Sequence, residues 1–192
     1  MILPIVAYGH TTLRRKTVEI GRDYPGLDTL IADMFETMYF SHGVGLAAPQ
    51  VNLSIRLIVV DAEAYSEEFP EVKGFKKVFI NPRITEESGK EWLFNEGCLS
   101  VPDVREDILR KSDIRIHYLD EHFKPFDERF SGVLARIIQH EYDHLEGVLF
   151  VDRVSTLRKA FLRKKLLDIS HGNIEVKYRM IFPNKTGKKK KK

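Results

Sequence analysis

The five residues His140-Glu141-Tyr142-Asp143-His144 constrain this chain more than any other stretch. They fall in a segment from Val133 to about Leu145 in which Val133, Leu134, Ile137, Ile138 and Leu145 predict a largely buried helix. Ser131-Gly132 can cap its start and Gly147 can stop its end. At about 100° per residue the two histidines stand only ~40° apart on the helix surface. Two imidazoles buried on one face need partners, and a single metal ion supplies them. Glu141 points ~100° away from His140, beside such an ion and not onto it. A pair of surface histidines is the plain alternative for a five-residue match, and the apolar helix around the motif argues against it.

A catalytic site of this kind takes three protein ligands and leaves one position open. The metzincin extension would place glycine at 147 and histidine at 150; Gly147 fits, but Phe150 does not. A thermolysin-like site takes a glutamate from a later helix, and the helix predicted over Ser155 to Ile169 offers only Asp168. The one cysteine of the chain, Cys98, remains, in Glu96-Gly97-Cys98-Leu99-Ser100. A lone cysteine is more often a small buried apolar group and can form no intramolecular disulfide. As a thiolate it would complete a His₂Cys site. A third stretch, Gly43-Val44-Gly45-Leu46-Ala47-Ala48-Pro49-Gln50, lets backbone approach a ligand closely, and the Gln50 amide can donate to a developing oxyanion. It matches neither the P-loop nor the dinucleotide fingerprint.

The rest of the chain supplies a frame. Asp23-Tyr24-Pro25-Gly26 opens a helix whose Leu27, Leu30, Ile31, Met34, Phe35 and Met38 share one face, ending near Ser41-His42-Gly43. Residues 56–61 and 77–82 read as strands, and Cys98 falls between 77–82 and a further strand over 113–118. That strand returns as a hairpin over 125–130, and 174–180 alternates as a last strand. Helices and strands do not alternate in βαβ order. The expected class is α+β: antiparallel sheets around a central HExxH helix, with N-terminal and C-terminal helices and a C-terminal strand. At 192 residues the chain suits one domain, taken as 1–183, followed by a lysine-rich tail over 184–192.

The three stretches GVGLAAPQ, EGCLS and QHEYDHLEGVLF, in this order, resemble the signature motifs of the peptide deformylase family, and the likeness runs from Gly9 and Leu13-Arg14 to about Asp152. The resemblance implies a metal-dependent hydrolase that removes the formyl group from formyl-methionyl nascent proteins and releases formate. It assigns Cys98, His140 and His144 as metal ligands and Glu141 as the general base and acid acting on metal-activated water. The Gln50 side chain and the Leu99 backbone N–H become oxyanion donors, and Gly45 pairs with the substrate main chain. Val44, Gly45, Leu99, Ile137 and His140 would line the methionine pocket, with Arg105 at its rim. The family uses one divalent ion per chain, Fe(II) natively, with zinc, nickel and cobalt forms also known.

Arg136 departs from the aliphatic residue common in the family. The plain reading is a solvated arginine at the pocket mouth with its stem packed on apolar groups; the alternative is a preference for acidic residues after methionine. Six lysines, Lys185 and Lys188 to Lys192, account for the basic balance: without them the formal charge of +3 becomes −3. Such a run reads as a solvated end. Arg158, Lys159, Arg163, Lys164 and Lys165 make the last helix basic, and the resemblance suggests contact with the ribosome near the exit site. No sequence-specific nucleic-acid binding and no membrane association is expected. The N-terminus lacks the basic region of a signal peptide, which makes the cytoplasm the expected compartment.

Overall fold

In the computed structural model, which describes residues 1–183, a short strand β1 (Ile5–Val6) leads through a 3-10 turn to helix α1 (Leu27–Phe40). The segment 184–192, expected as a tail, lies outside the described residues. Strands β2 (Gly45–Ala47), β3 (Leu57–Asp61), β4 (Lys76–Cys98), β5 (Val101–Leu119) and β6 (Pro125–Ser131) follow. They form one antiparallel sheet in chain order. Helix α2 (Gly132–Leu145) carries the two histidines. Helix α3 (Thr156–His171) and strand β7 (Met180–Ile181) complete the chain.

β3 shows why the sheet is central. Its Leu57 and Val59 pack with Ile31, Met34 and Met38 of α1, while Ile58 and Val60 pack with Val133, Ile137 and Ile138 of α2. A strand covered on both faces carries an uninterrupted apolar run, which is what the sequence shows. Each such side chain contributes about 1.5–3 kcal/mol of burial. A third apolar cluster joins Val6, Leu13, Val104, Ile108 and Phe150 to Leu162, Leu166 and Ile169 of α3. The expected α+β class, with antiparallel strands around the HExxH helix, is the architecture observed. No helix among the described residues is long and apolar enough to cross a membrane.

Three local expectations need correction. β4 and β5 are 23 and 19 residues long, so Cys98 is not in a connection between short strands but at the end of β4, separated from β5 only by Leu99-Ser100. Their added length escaped the sequence pattern because inward positions of β5 are Glu106 and Arg110, both buried, while Leu109 faces out. Ser131 occupies the N-cap position of α2, but its side chain makes no capping hydrogen bond. The strand expected over 174–180 pairs only at Met180–Ile181, and its partner β1 is parallel. Its side chains alternate between half-buried and exposed as a strand's would, but the neighbour is a cleft and offers no ladder.

Candidate active site

α2 sets two histidines on one face, and the hairpin turn after β4 brings Cys98 to them. The three ligand atoms lie within 4.8 Å of one another, with Cys98 Sγ 3.3 Å from His144 Nε2. The His140 and His144 rings are 5.4 Å apart, and Phe150 packs beside His140 where the metzincin pattern would need a histidine. One soft sulfur and two imidazoles suit a borderline divalent ion such as zinc or ferrous iron. Burial alone would pull His140 down, but its contacts with Cys98 and Glu96 hold it well above its ordinary value. The negative charge that holds a proton there would hold a cation equally well. His144 has less such help: burial and the nearby His140 and Arg110 outweigh Glu96 and keep it well below its ordinary value, in the neutral form a ligand needs.

Glu141 stands next in the helix, 5% exposed, with its Oε2 buried and without a hydrogen-bond partner among the described residues. Burial pushes its carboxyl up to about 7. A buried acid poised near neutrality beside three side chains that could hold a metal ion has the properties of a general base. Its position explains Gly45: a Cβ there would meet Glu141 Oε1 at 2.6 Å. Gly43 gives way in the same manner to Leu99, whose Cδ1 would be 2.9 Å from an added Cβ.

Gln50 sits in a 3-10 turn (Ala48–Val51) and is 1% exposed. Its Oε1 accepts from Ala47 N–H at 2.8 Å, which turns Nε2 toward Cys98 Sγ and Ser100 Oγ, both at 3.5 Å. The amide is thus held with its N–H groups facing the ligand cluster.

Glu96 orients the cluster from behind. One of its oxygens takes the His140 Nδ1–H at 2.8 Å and an Arg110 N–H at 3.0 Å; the other takes Arg110 at 2.8 Å and Arg136 at 2.9 Å. Burial would raise this carboxyl, but His140 and Arg110 outweigh it and hold it far below the usual carboxylate range. Arg110 also reaches Asp143 at 2.7 Å, and Asp143 is gripped by Arg153 at 2.6 Å. Glu96 was visible in its motif without a role, and Arg110, Asp143 and Arg153 were missed. A charged residue at an inward strand position, as Arg110 is, was the available signal.

Arg136 is not solvated. Its side chain is 1% exposed, and its guanidinium donates to Glu96, to the Ile108 carbonyl at 2.7 Å and to the Trp92 carbonyl at 2.7 Å. It also lies 4.8 Å from the Trp92 ring. Charge and carbonyl partners inside the hairpin offset part of the desolvation that normally keeps arginine at the surface, but burial still dominates and holds this guanidinium below its ordinary value. Its charge is engaged with Glu96 and two carbonyls.

Val44, Gly45, Gln50, Cys98, Leu99, Arg105, Arg136, Ile137, His140 and Glu141 all line one cleft of about 820 Å³. Arg105 stands exposed at its mouth, tied to Asn95 by two hydrogen bonds of 2.7 Å. The expected site residues thus meet in one place, with His144 behind them. The family model described as polypeptide deformylase matches residues 2–160. The chain belongs to the polypeptide deformylase family. It is 51% identical to the peptide deformylase of Christiangramia forsetii, over 96% of this chain and 97% of that one. It is 52% identical to that of Flavobacterium psychrophilum, over 96% and 100%. The crystal structure of a Legionella pneumophila peptide deformylase superposes with a TM-score of 0.78 at 38% identity, covering 90% of this chain and 98% of that chain. The plant peptide deformylase PDF1B gives 0.78 at 34%, covering 92% and 96%. This deformylase is accordingly a hydrolase of the translation machinery.

Proposed function

We propose that this deformylase removes the formyl group from formyl-methionyl peptides with Cys98, His140 and His144 holding one divalent ion, Fe(II) natively and zinc, nickel or cobalt in substituted forms. The observation that carries this is the convergence of three ligand atoms on one point beside a buried carboxyl oxygen that has no other partner. The ion would act as a Lewis acid and make water a nucleophile at neutral pH. The protein groups do the rest. The substrate chain enters beside Val44 and Gly45, pairing with the Gly45 backbone, and its methionine side chain lies against Val44, Leu99 and Ile137. Gln50 Nε2 and the Leu99 N–H donate to the formyl oxygen as it gains negative charge. Glu141 takes the proton of the attacking water and delivers it to the departing amine nitrogen. Arg105 borders the next substrate residue, and Arg136 acts through Glu96.

Residues 1–183 form the catalytic unit in this reading, working in the cytoplasm. The basic surface of α3 is proposed as its contact with the ribosome near the exit site. Arg158 is spent on Glu106 and Lys165 on the Asp103 carbonyl, which leaves Lys159, Arg163 and Lys164 for the partner. The test is formate release from a formyl-methionyl tripeptide by protein purified anaerobically, with bound metal measured on the same sample. Release that tracks metal content supports the reading; metal-loaded protein that spares the formyl group contradicts it.

A further inference from the structure

The cleft has a wall that comes from beyond the residues matched by the family model. After α3, Gly172 takes a left-handed φ of 72° and the chain turns back. Residues 174–179 then pass along the cleft with bends at Ile174, Lys177 and Tyr178, and the segment docks on β1 through Ile5 N–H to Arg179 O and Ala7 N–H to Ile181 O, both 2.9 Å. Glu175, Val176, Lys177 and Tyr178 of this strap line the cleft. Only Tyr178 among them makes a hydrogen bond into the site: its hydroxyl donates to the Leu99 carbonyl at 2.7 Å.

Leu99 belongs to the two-residue turn that joins β4 to β5 immediately after Cys98. The carbonyl of its neighbour Ser100 accepts from Tyr8 N–H at 2.8 Å. Both carbonyls of the turn are therefore held from outside the hairpin, one by the N-terminal segment and one by the strap. A two-residue turn at a strand end is otherwise free to rock about its own dihedrals. A donor that must meet a developing charge contributes most when it is already in place.

We propose that Tyr178 is a positioning residue for hydrolysis: its hydroxyl holds the Leu99–Ser100 peptide by the Leu99 carbonyl, which limits rotation about the Leu99 dihedrals and so keeps the N–H of the adjoining Cys98–Leu99 peptide pointing to where the oxyanion forms. The inference rests on the reading of Leu99 as an oxyanion donor and extends it to a residue of the C-terminal strap. Burial, with Cys98 and Asp103 nearby, raises the Tyr178 phenol well above its ordinary value, so the hydroxyl keeps the proton it donates. The aromatic ring and the hydroxyl have separable roles. The ring fills the wall, and the hydroxyl alone reaches Leu99.

Tyr178→Phe separates them. Its kcat on a formyl-methionyl tripeptide should fall about five- to tenfold, the scale of one net hydrogen bond. KM and inhibition by the deformylated tripeptide should stay at wild-type values, because ground-state binding does not use the hydroxyl; bound metal should be unchanged, and the melting temperature should fall by only the few degrees that one lost hydrogen bond costs. Tyr178→Leu removes the ring too. If Tyr178→Phe is as fast as wild type and only Tyr178→Leu is impaired, the residue is packing and the proposal is overturned. A fall in kcat that tracks lost metal, or protein unfolded at the assay temperature, overturns it as well. Wild-type protein that releases no formate removes the deformylase reading and this inference together, whereas an active wild type with a silent Tyr178→Phe removes the inference alone.

Discussion

The two sides of the ligand cluster are built from opposite materials. On one side, the loop Gly43–Gln50 presents small residues and backbone: Gly45 exists to admit Glu141, and Gln50 is aimed by a single bond from Ala47. On the other side, Glu96, Arg110, Asp143 and Arg136 form a buried ionic lattice, joined at the surface by Arg153. Buried ion pairs are seldom a net source of stability against apolar replacements of the same shape, although removing one partner costs about 3–5 kcal/mol. The lattice is better understood as an orienting device: it fixes the His140 ring by its Nδ1–H, so that Nε2 faces the ligand cluster. In the proposed reading, the loop side serves the reacting groups and the lattice side serves the metal ligands.

That division makes ordered predictions. The larger effect of the two sides belongs to the loop: Gln50→Ala should lower kcat about 10²–10³-fold, the usual loss for one oxyanion donor, with bound metal unchanged. The lattice side gives the reverse pattern. Glu96→Gln keeps the shape but removes the charge facing His140, and metal affinity should fall about 10–100-fold, measured by competition with a chelator. If Gln50→Ala lost metal while Glu96→Gln kept it and lost turnover, the division would be inverted.

The smallest effect concerns stability. Glu141 has a folded-state pKa raised to about 7 from 4.5. Between those values the folded protein binds the proton that the unfolded chain has released, so stability falls as pH rises through this window. Glu141→Gln lacks that loss. Stripped of metal, it should melt a few degrees above wild type at pH 8 and show no advantage at pH 4.5. A constant difference across this range would mean that the carboxyl is not the titrating group.

The sequence made one side of the site far more legible than the other. HExxH on an apolar helix, a lone cysteine and a glycine-alanine loop are local patterns, and each lies where those patterns predict. The lattice was hidden because its members are far apart in sequence and one of them, Arg110 on β5, sits where periodicity expects an apolar residue. Arg136 was misread for the same reason: residue type favours solvent, and only the folded hairpin supplies Glu96 and two carbonyls. The strap shows a different limit. Alternation over 174–180 reports which side chains face inward, which is correct, but not whether a strand lies alongside to pair with.

The central claim is that Cys98 is a ligand and Glu141, beside it, is not. Bound metal and formate release measured together in Cys98→Ala and Glu141→Ala test it directly, with circular dichroism to establish folding in both. Cys98→Ala should lose metal, since two histidines hold an ion weakly in an open site. Glu141→Ala should keep its metal yet lose turnover by about 10²–10⁴-fold, because the proton carrier is gone. A folded Glu141→Ala that binds no metal, beside a Cys98→Ala that binds it fully, would make Glu141 the ligand and contradict this account of the site.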